Sequence, residues 1–360
     1  MQDFQTPVVL ILFNRPQQAQ QLIARLRWIR PSRLLVIADG PRPTHPDDTQ
    51  RCHAVRATLG AIDWPCTIER EFSESNLGCD RRVQSGLDWV FTRADQAIVL
   101  EDDILPHPSF FPWAAAMLER YKDHERVGLI SGTNPLGQWG AACQDHLHAH
   151  RGSIWGWAGT AAAWRRIQGT NLAGDPDQAA LEIARLNLDP LLTEHYTLAL
   201  QAFRRGQLVA WDVIFSLRRV IAGDTAIVSS VNLVRNTGIG REATRTTFEQ
   251  DFRALIPVGE ARLPGAGERH ELEPNYDRAA LLVELMAGCH APSMAWRMAR
   301  MIGRGMTLPL DPRARHPLTP FAVAAESLTA LEHLVAQGVA SPLFNQLLET
   351  MREAAKAQSP

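Results

Sequence analysis

Residues 97–108, Ala97-Ile98-Val99-Leu100-Glu101-Asp102-Asp103-Ile104-Leu105-Pro106-His107-Pro108, set three consecutive carboxylates at the end of a short apolar run. Ala97 to Leu100 read as a strand buried on both faces, with Glu101, Asp102 and Asp103 leaving its carboxyl end. In an open α/β sheet, ligands bind in the crevice outside that end. Three adjacent acids repel one another, so the pattern asks for a positive partner, and carboxylate oxygens suit Mg²⁺ or Mn²⁺. The triplet alone also fits an exposed acidic turn leading into a helix near Pro108.

Outward from this stretch, strands and helices alternate. The apolar runs Val8–Phe13, Leu34–Ala38 and Val127–Ser131 read as strands, and a further strand is expected near Thr67–Phe72. Helical spacing is expected over Gln17–Trp28, Asp48–Leu59, Asp80–Thr92 and Phe110–Tyr121. Such alternation predicts βαβ units with right-handed crossovers and a mainly parallel, Rossmann-like sheet. No GxGxxG follows the first strand and no GxxxxGK[ST] occurs, which argues against a dinucleotide oxidoreductase and a P-loop ATPase.

The second half is richer in Trp and Gly. Trp155-Gly156-Trp157 is too crowded with aromatic and glycine residues to read as an ordinary strand, and indole faces suit sugar rings, although both tryptophans also fit a core. Trp211-Asp212 follows, then a strand over Ala226–Val234 and a glycine-rich loop, NTGIG, with Arg241 and Arg245 beyond it. His146-Leu147-His148-Ala149-His150 is expected to be an exposed, solvated loop and not a metal site. Pro257–Glu273 reads as a linker. Helices are expected near Asn275–Gly288, Pro292–Arg304, Pro320–Gln337 and Pro342–Lys356. The second mixes Met, Trp and Arg and suits a docking or dimerisation face, or a peripheral membrane contact.

Composition narrows the function classes. In 360 residues, 45% hydrophobic and 21% charged, the net charge is −2, so no general basic field attracts nucleic acid. Only Lys122 and Lys356 are lysines among 37 basic residues. The five cysteines (Cys52, Cys66, Cys79, Cys143, Cys289) are scattered without a CxxC pair, which disfavours a disulfide framework and a zinc site and fits a reducing cytoplasm. No apolar run approaches the ~20 residues of a membrane span.

Taken in chain order, PVVLILFNRP, IADG, SNLG, VLEDD, WGWA, WD and NLVRNTGIGREATRT resemble a bacterial group of GT-A glycosyltransferases, distantly similar to the N-acetylglucosaminyltransferase I family. The resemblance covers about residues 7 to 250. It implies an α/β GT-A fold over 1–256; outside it, composition and helical spacing place a linker over 257–274 and a helical region over 275–360. It implies a divalent cation, Mn²⁺ or Mg²⁺, bound directly by Asp103, with Glu101 and Asp102 beside the ribose and diphosphate. Asp39, with Gly40, falls at the uracil, Arg15 near the nucleotide, and Asp212 at the position of the general base of an inverting transfer. From their own chemistry, indole faces and close backbone approach, Trp155, Gly156, Trp157 and Trp211 are the candidates for the sugar side. Relatives usually carry His where this chain has Arg245, which cannot ligate a cation but can pair with a diphosphate.

The expected activity is therefore a cytoplasmic, inverting transfer from a UDP-sugar to a glycan or lipid-linked acceptor. Asp212 also fits a helix N-cap. Two other classes stay open: nucleotidyl transfer to a sugar phosphate, which would prefer a glycine-rich signature where NRPQQ stands, and a non-catalytic transferase-like binding module.

Overall fold

Uninterrupted apolar runs become the strands, and the helical-period segments pack on both sides of them. The computed structural model describes residues 4–139, 145–238, 256–262 and 271–287. The first half runs β1 (Val8–Leu12), α1 (Pro16–Leu26), β2 (Arg33–Ala38), α2 (Asp48–Ala57), β3 (Thr67–Phe72), α3 (Cys79–Val90), β4 (Gln96–Glu101), β5 (Ile104–Pro106), α4 (Phe110–Arg120) and β6 (Val127–Ser131). The second runs β7 (His146–Ala149), β8 (Trp157–Thr160), α5 (Ala161–Gln168), α6 (Ala179–Ala184), α7 (Pro190–Arg204), α8 (Trp211–Ile221), β9 (Thr225–Ser229), β10 (Val234–Asn236) and α9 (Pro274–Ala287).

The main sheet has eight strands in the order β3-β2-β1-β4-β8-β6-β9-β7. β3, β2, β1 and β4 are parallel neighbours, β8 lies antiparallel between β4 and β6, β9 is parallel to β6, and β7 closes the edge antiparallel to β9. This is the mixed, mainly parallel α/β architecture expected from the sequence. Alternation divides the side chains between two cores. Val9, Ile11, Leu35, Ile37, Ala97 and Val99 face one, and Val8, Leu10, Leu34, Val36, Ile98 and Leu100 face the other. Both faces are covered, which is why these strands read as continuous apolar runs. A small second sheet pairs β5 antiparallel with β10, Ile104 opposite Asn236.

Several expectations change. His146–His150 is not an exposed loop: residues 146–149 form β7, all four buried, paired with β9. Its imidazoles are satisfied, His146 Nε2 by the Tyr121 hydroxyl at 2.7 Å and His148 Nε2 by Thr225 Oγ1 at 2.5 Å. The His-Leu-His-Ala alternation was strand periodicity with polar residues that find partners. Trp157-Ala158-Gly159-Thr160 is likewise a strand, inserted in the middle of the sheet. The run Ala226–Val234 is interrupted at 230–233, where the chain leaves the main sheet for the small one and Asn232 Nδ2 donates to the carbonyls of Val234 (2.8 Å) and Pro257 (3.2 Å).

The stretch after Ile256 is tied to the sheet domain. Gly259 N donates to Asn232 O, Ala261 N to Ser109 Oγ, and Glu273 N to His148 O. α9 packs against α7 and β7, with Tyr276, Ala280 and Leu281 in the same apolar cluster as α3 and α8. Asp277, 1% exposed, accepts from the backbone N–H groups of His150 (3.0 Å) and Arg151 (2.8 Å). The three helices expected beyond Pro292 lie outside the described residues. Among the described residues no helix is long and apolar enough to cross a membrane.

Candidate active site

The carboxyl ends of β1, β2 and β4 and the first turns of α3 and α8 surround a cleft of about 390 Å³. Glu101, Asp102, Asp103, Asp212, Arg15 and Asp39 all line it. β4 delivers the acids, and pairing with β1 continues one step past the strand, with Asp102 N donating to Ile11 O at 3.0 Å. The Asp102 side chain turns back onto the end of β1. Its Oδ2 accepts from Phe13 N (3.1 Å) and its Oδ1 from Arg15 Nη1 (3.0 Å), and the same Nη1 lies 2.5 Å from Asp103 Oδ2.

One guanidinium therefore serves two carboxylates while Glu101 and Asp212 stand in the same cleft. Burial, and then the charges of Asp103, Asp102 and Asp212, push the Glu101 carboxyl up to about 8. Burial and Asp103 push Asp102 up to about 6 against the pull of Arg15. A hard divalent cation fits such a donor set. Among the described residues no three His, Cys, Asp or Glu side chains are placed to hold a metal by themselves.

Asp39 leaves the end of β2 and is 5% exposed. Its Oδ1 accepts from Gly40 N and Leu77 N at 2.9 Å, and its Oδ2 from Asn76 Nδ2 (3.0 Å) and Gly78 N (3.1 Å). The IADG and SNLG motifs are thus two halves of one structure, with a carboxylate binding the loop that enters α3. Gly40 packs against that loop, where a Cβ would lie 2.5 Å from the Ser75 carbonyl carbon. Sequence reasoning missed two cleft arginines. Arg42 sits over the Phe13 ring, 5.3 Å from its centroid, held by Asp48 Oδ2 at 2.6 Å. Arg82, 3% exposed, is tied to Glu71. Both are held by acid-bearing residues six and eleven positions away in the chain, outside any recognised motif.

The small sheet closes the roof over the acids. After β10, Thr237 N (2.8 Å) and Oγ1 (3.0 Å) both donate to the Asp103 carbonyl. Gly238 follows against the Asp103 side chain, so closely that any Cβ there would collide with the carboxylate. The glycine of NTG is thus required by close approach to Asp103. Arg241, Arg245 and the rest of the loop lie outside the described residues.

The tryptophans separate. Trp155 lines the cleft. Trp157 does not: it is 2% exposed on β8, its ring 5.6 Å from Phe215, so its place is in the core and not at a sugar. Gly156 is used within the fold, its carbonyl accepting from Gly132 N at 2.9 Å. Trp211 lines the cleft and packs against Phe215. Asp212 is the second residue of α8 and not its N-cap; the cap is Ala210, and Asp80 Oδ1 on α3 accepts from Trp211 N at 2.7 Å. Asp80 therefore fixes the turn that presents Asp212.

In sequence, no family description and no curated protein matches the chain. Among solved structures, it aligns with the mannosyltransferase PcManGT from Pyrobaculum calidifontis in complex with GDP-Man and Mn²⁺. The alignment has 14% identity, 98% of this chain and 85% of that one covered, and a TM-score of 0.37. A likeness of that size bears on neither the fold nor the activity of this chain.

Proposed function

We propose that the chain is a metal-assisted glycosyltransferase that takes a nucleotide-diphospho-sugar, UDP-linked, and transfers the sugar with inversion. The observation that carries this reading is the gathering of Glu101, Asp102, Asp103 and Asp212 with Arg15 around one cleft at the carboxyl end of a mainly parallel sheet. Sugar transfer needs two things that such a cleft supplies. The departing diphosphate needs its charge met, and Asp103, with Asp102 and Glu101 behind it, would hold a divalent cation that neutralises it. Arg15 and Arg42 add fixed positive charge. The acceptor hydroxyl needs a base, and Asp212, on a separate element from the metal-side acids, takes that proton as the hydroxyl oxygen attacks the anomeric carbon.

Asp39 contributes by holding the 76–78 loop, and through it the start of α3, against the base side of the cleft. Trp155 is the aromatic face offered to a sugar. The test is Asp212→Asn. Donor hydrolysis or transfer is expected to fall by about 10²-fold or more, with UDP affinity unchanged within about twofold. Retained turnover removes Asp212 from the base role.

A further inference from the structure

The first turns of α3 separate two cavities. Cys79, Arg82 and Val83 line the cleft described above, and Asp80, Arg81 and Gln84 line a second cavity of about 490 Å³ on the other side of the helix. Positions three and four apart share a helical face, so one helix walls both. Gly78 and Trp211 belong to both linings and form the rim between them.

The far wall is apolar. Phe203, Leu208 and Val209 come from the end of α7 and the segment joining it to α8, and Ile214 and Phe215 from α8 itself. Val209 is 69% exposed. Two cations face this apolar lining. Arg81 is exposed, and Arg218 is half-buried with its Nη1 donating to the neutral amide of Gln168. The Arg218 Nε is buried without a partner among the described residues. The acid that acts on Arg218 through space, Asp88, accepts instead from Trp164 Nε1 at 2.8 Å. The acid in the lining, Asp80, is engaged with Trp211 N. The cavity thus combines an apolar wall with guanidinium groups that have N–H donor capacity to spare for an anion, which is the chemistry of a site for an anionic amphiphile.

We propose that this second cavity is the acceptor subsite and that it takes a phosphate-bearing amphiphile, its apolar chain along Leu208, Val209 and Ile214 and its phosphate on Arg81 and Arg218. The assignment as acceptor rests on the transferase reading above. A hydroxyl carried by such a molecule has only to pass the Gly78–Trp211 rim to meet Asp212, the residue after Trp211.

The test is calorimetric titration of the full chain with monomeric decyl phosphate, with inorganic phosphate and neutral decyl glucoside as comparisons, and with UDP plus Mn²⁺ in parallel. Decyl phosphate is expected to bind about tenfold or more tightly than either comparison. Val209→Asp, an exposed change, should weaken it about fivefold or more, and Arg218→Gln should abolish the preference for phosphate over glucoside. UDP affinity should stay within about twofold in both variants. Absence of decyl phosphate binding, or equal binding by wild type and both variants, overturns the proposal. Binding to phosphatidate vesicles without binding of monomeric decyl phosphate would assign the patch to a membrane surface and also overturns it. Decyl phosphate binding by a chain that takes no UDP overturns the acceptor role and the donor reading together while leaving the cavity's ligand class in place.

Discussion

Both oxygens of Asp39 are occupied by the chain itself, two donors on each. Asp39→Ala would leave several buried donors without an acceptor, each a loss of about 1–3 kcal/mol. A drop of about 2–4 kcal/mol in urea-unfolding stability is expected, with weakened UDP binding as a consequence of the freed loop. Asp48 gives a pH-dependent counterpart. Hydrogen bonding to Arg42, against the cost of burial, holds its carboxyl down to about 2, below its ordinary 3.8. The stability it contributes is complete above about pH 4 and disappears as pH falls through 4 towards 2. Unfolding at pH 4 and pH 2 should show wild type losing about 1–2 kcal/mol more than Asp48→Asn over that interval. At this scale the sequence indicated which residue types matter, and Glu101, Asp102, Asp103, Asp212 and Arg15 do meet in one cleft. It could not show that Asp39 faces the SNLG loop, because that contact joins residues nearly forty positions apart.

Among the elements, β1, β2 and β4 were legible because both their faces are buried and their runs are continuous, and β3, a partly exposed edge strand, was legible from its place in the strand–helix alternation. β7, β8 and α8 were not. β7 carries histidines satisfied by Tyr121 and Thr225, β8 is four residues that run straight into α5 with Thr160 as its N-cap, and α8 opens on Trp211-Asp212 with its cap supplied from α3. Each depends on a distant partner that periodicity does not report. α9 was read at nearly its observed bounds, yet its attachment was not, since it rests on Asp277 receiving the N–H groups of His150 and Arg151. Asp277→Ala should lower urea-unfolding stability by about 2–4 kcal/mol. Because residues 150–151 lead directly to Trp155, which lines the donor cleft, the variant should also raise the KM for the sugar donor more than it lowers kcat. A stability unchanged within about 0.5 kcal/mol would contradict the role given to α9.

Across the whole molecule, six of the eight main-sheet strands point one way. Their carboxyl ends gather acids from β4, the base candidate from α8 and the arginines from the β1 and β2 ends, with the small sheet of β5 and β10 as a roof. The central claim is that this cleft holds a nucleoside diphosphate through a cation on Asp103. The most direct measurement is calorimetric titration of UDP, with and without Mn²⁺, into wild type and Asp103→Asn. UDP is expected to bind the wild type about tenfold or more tightly with Mn²⁺ than without, and Asp103→Asn should lose that enhancement while keeping the metal-free affinity. No binding of UDP by the wild type under either condition, or a full Mn²⁺ enhancement in Asp103→Asn, would contradict it.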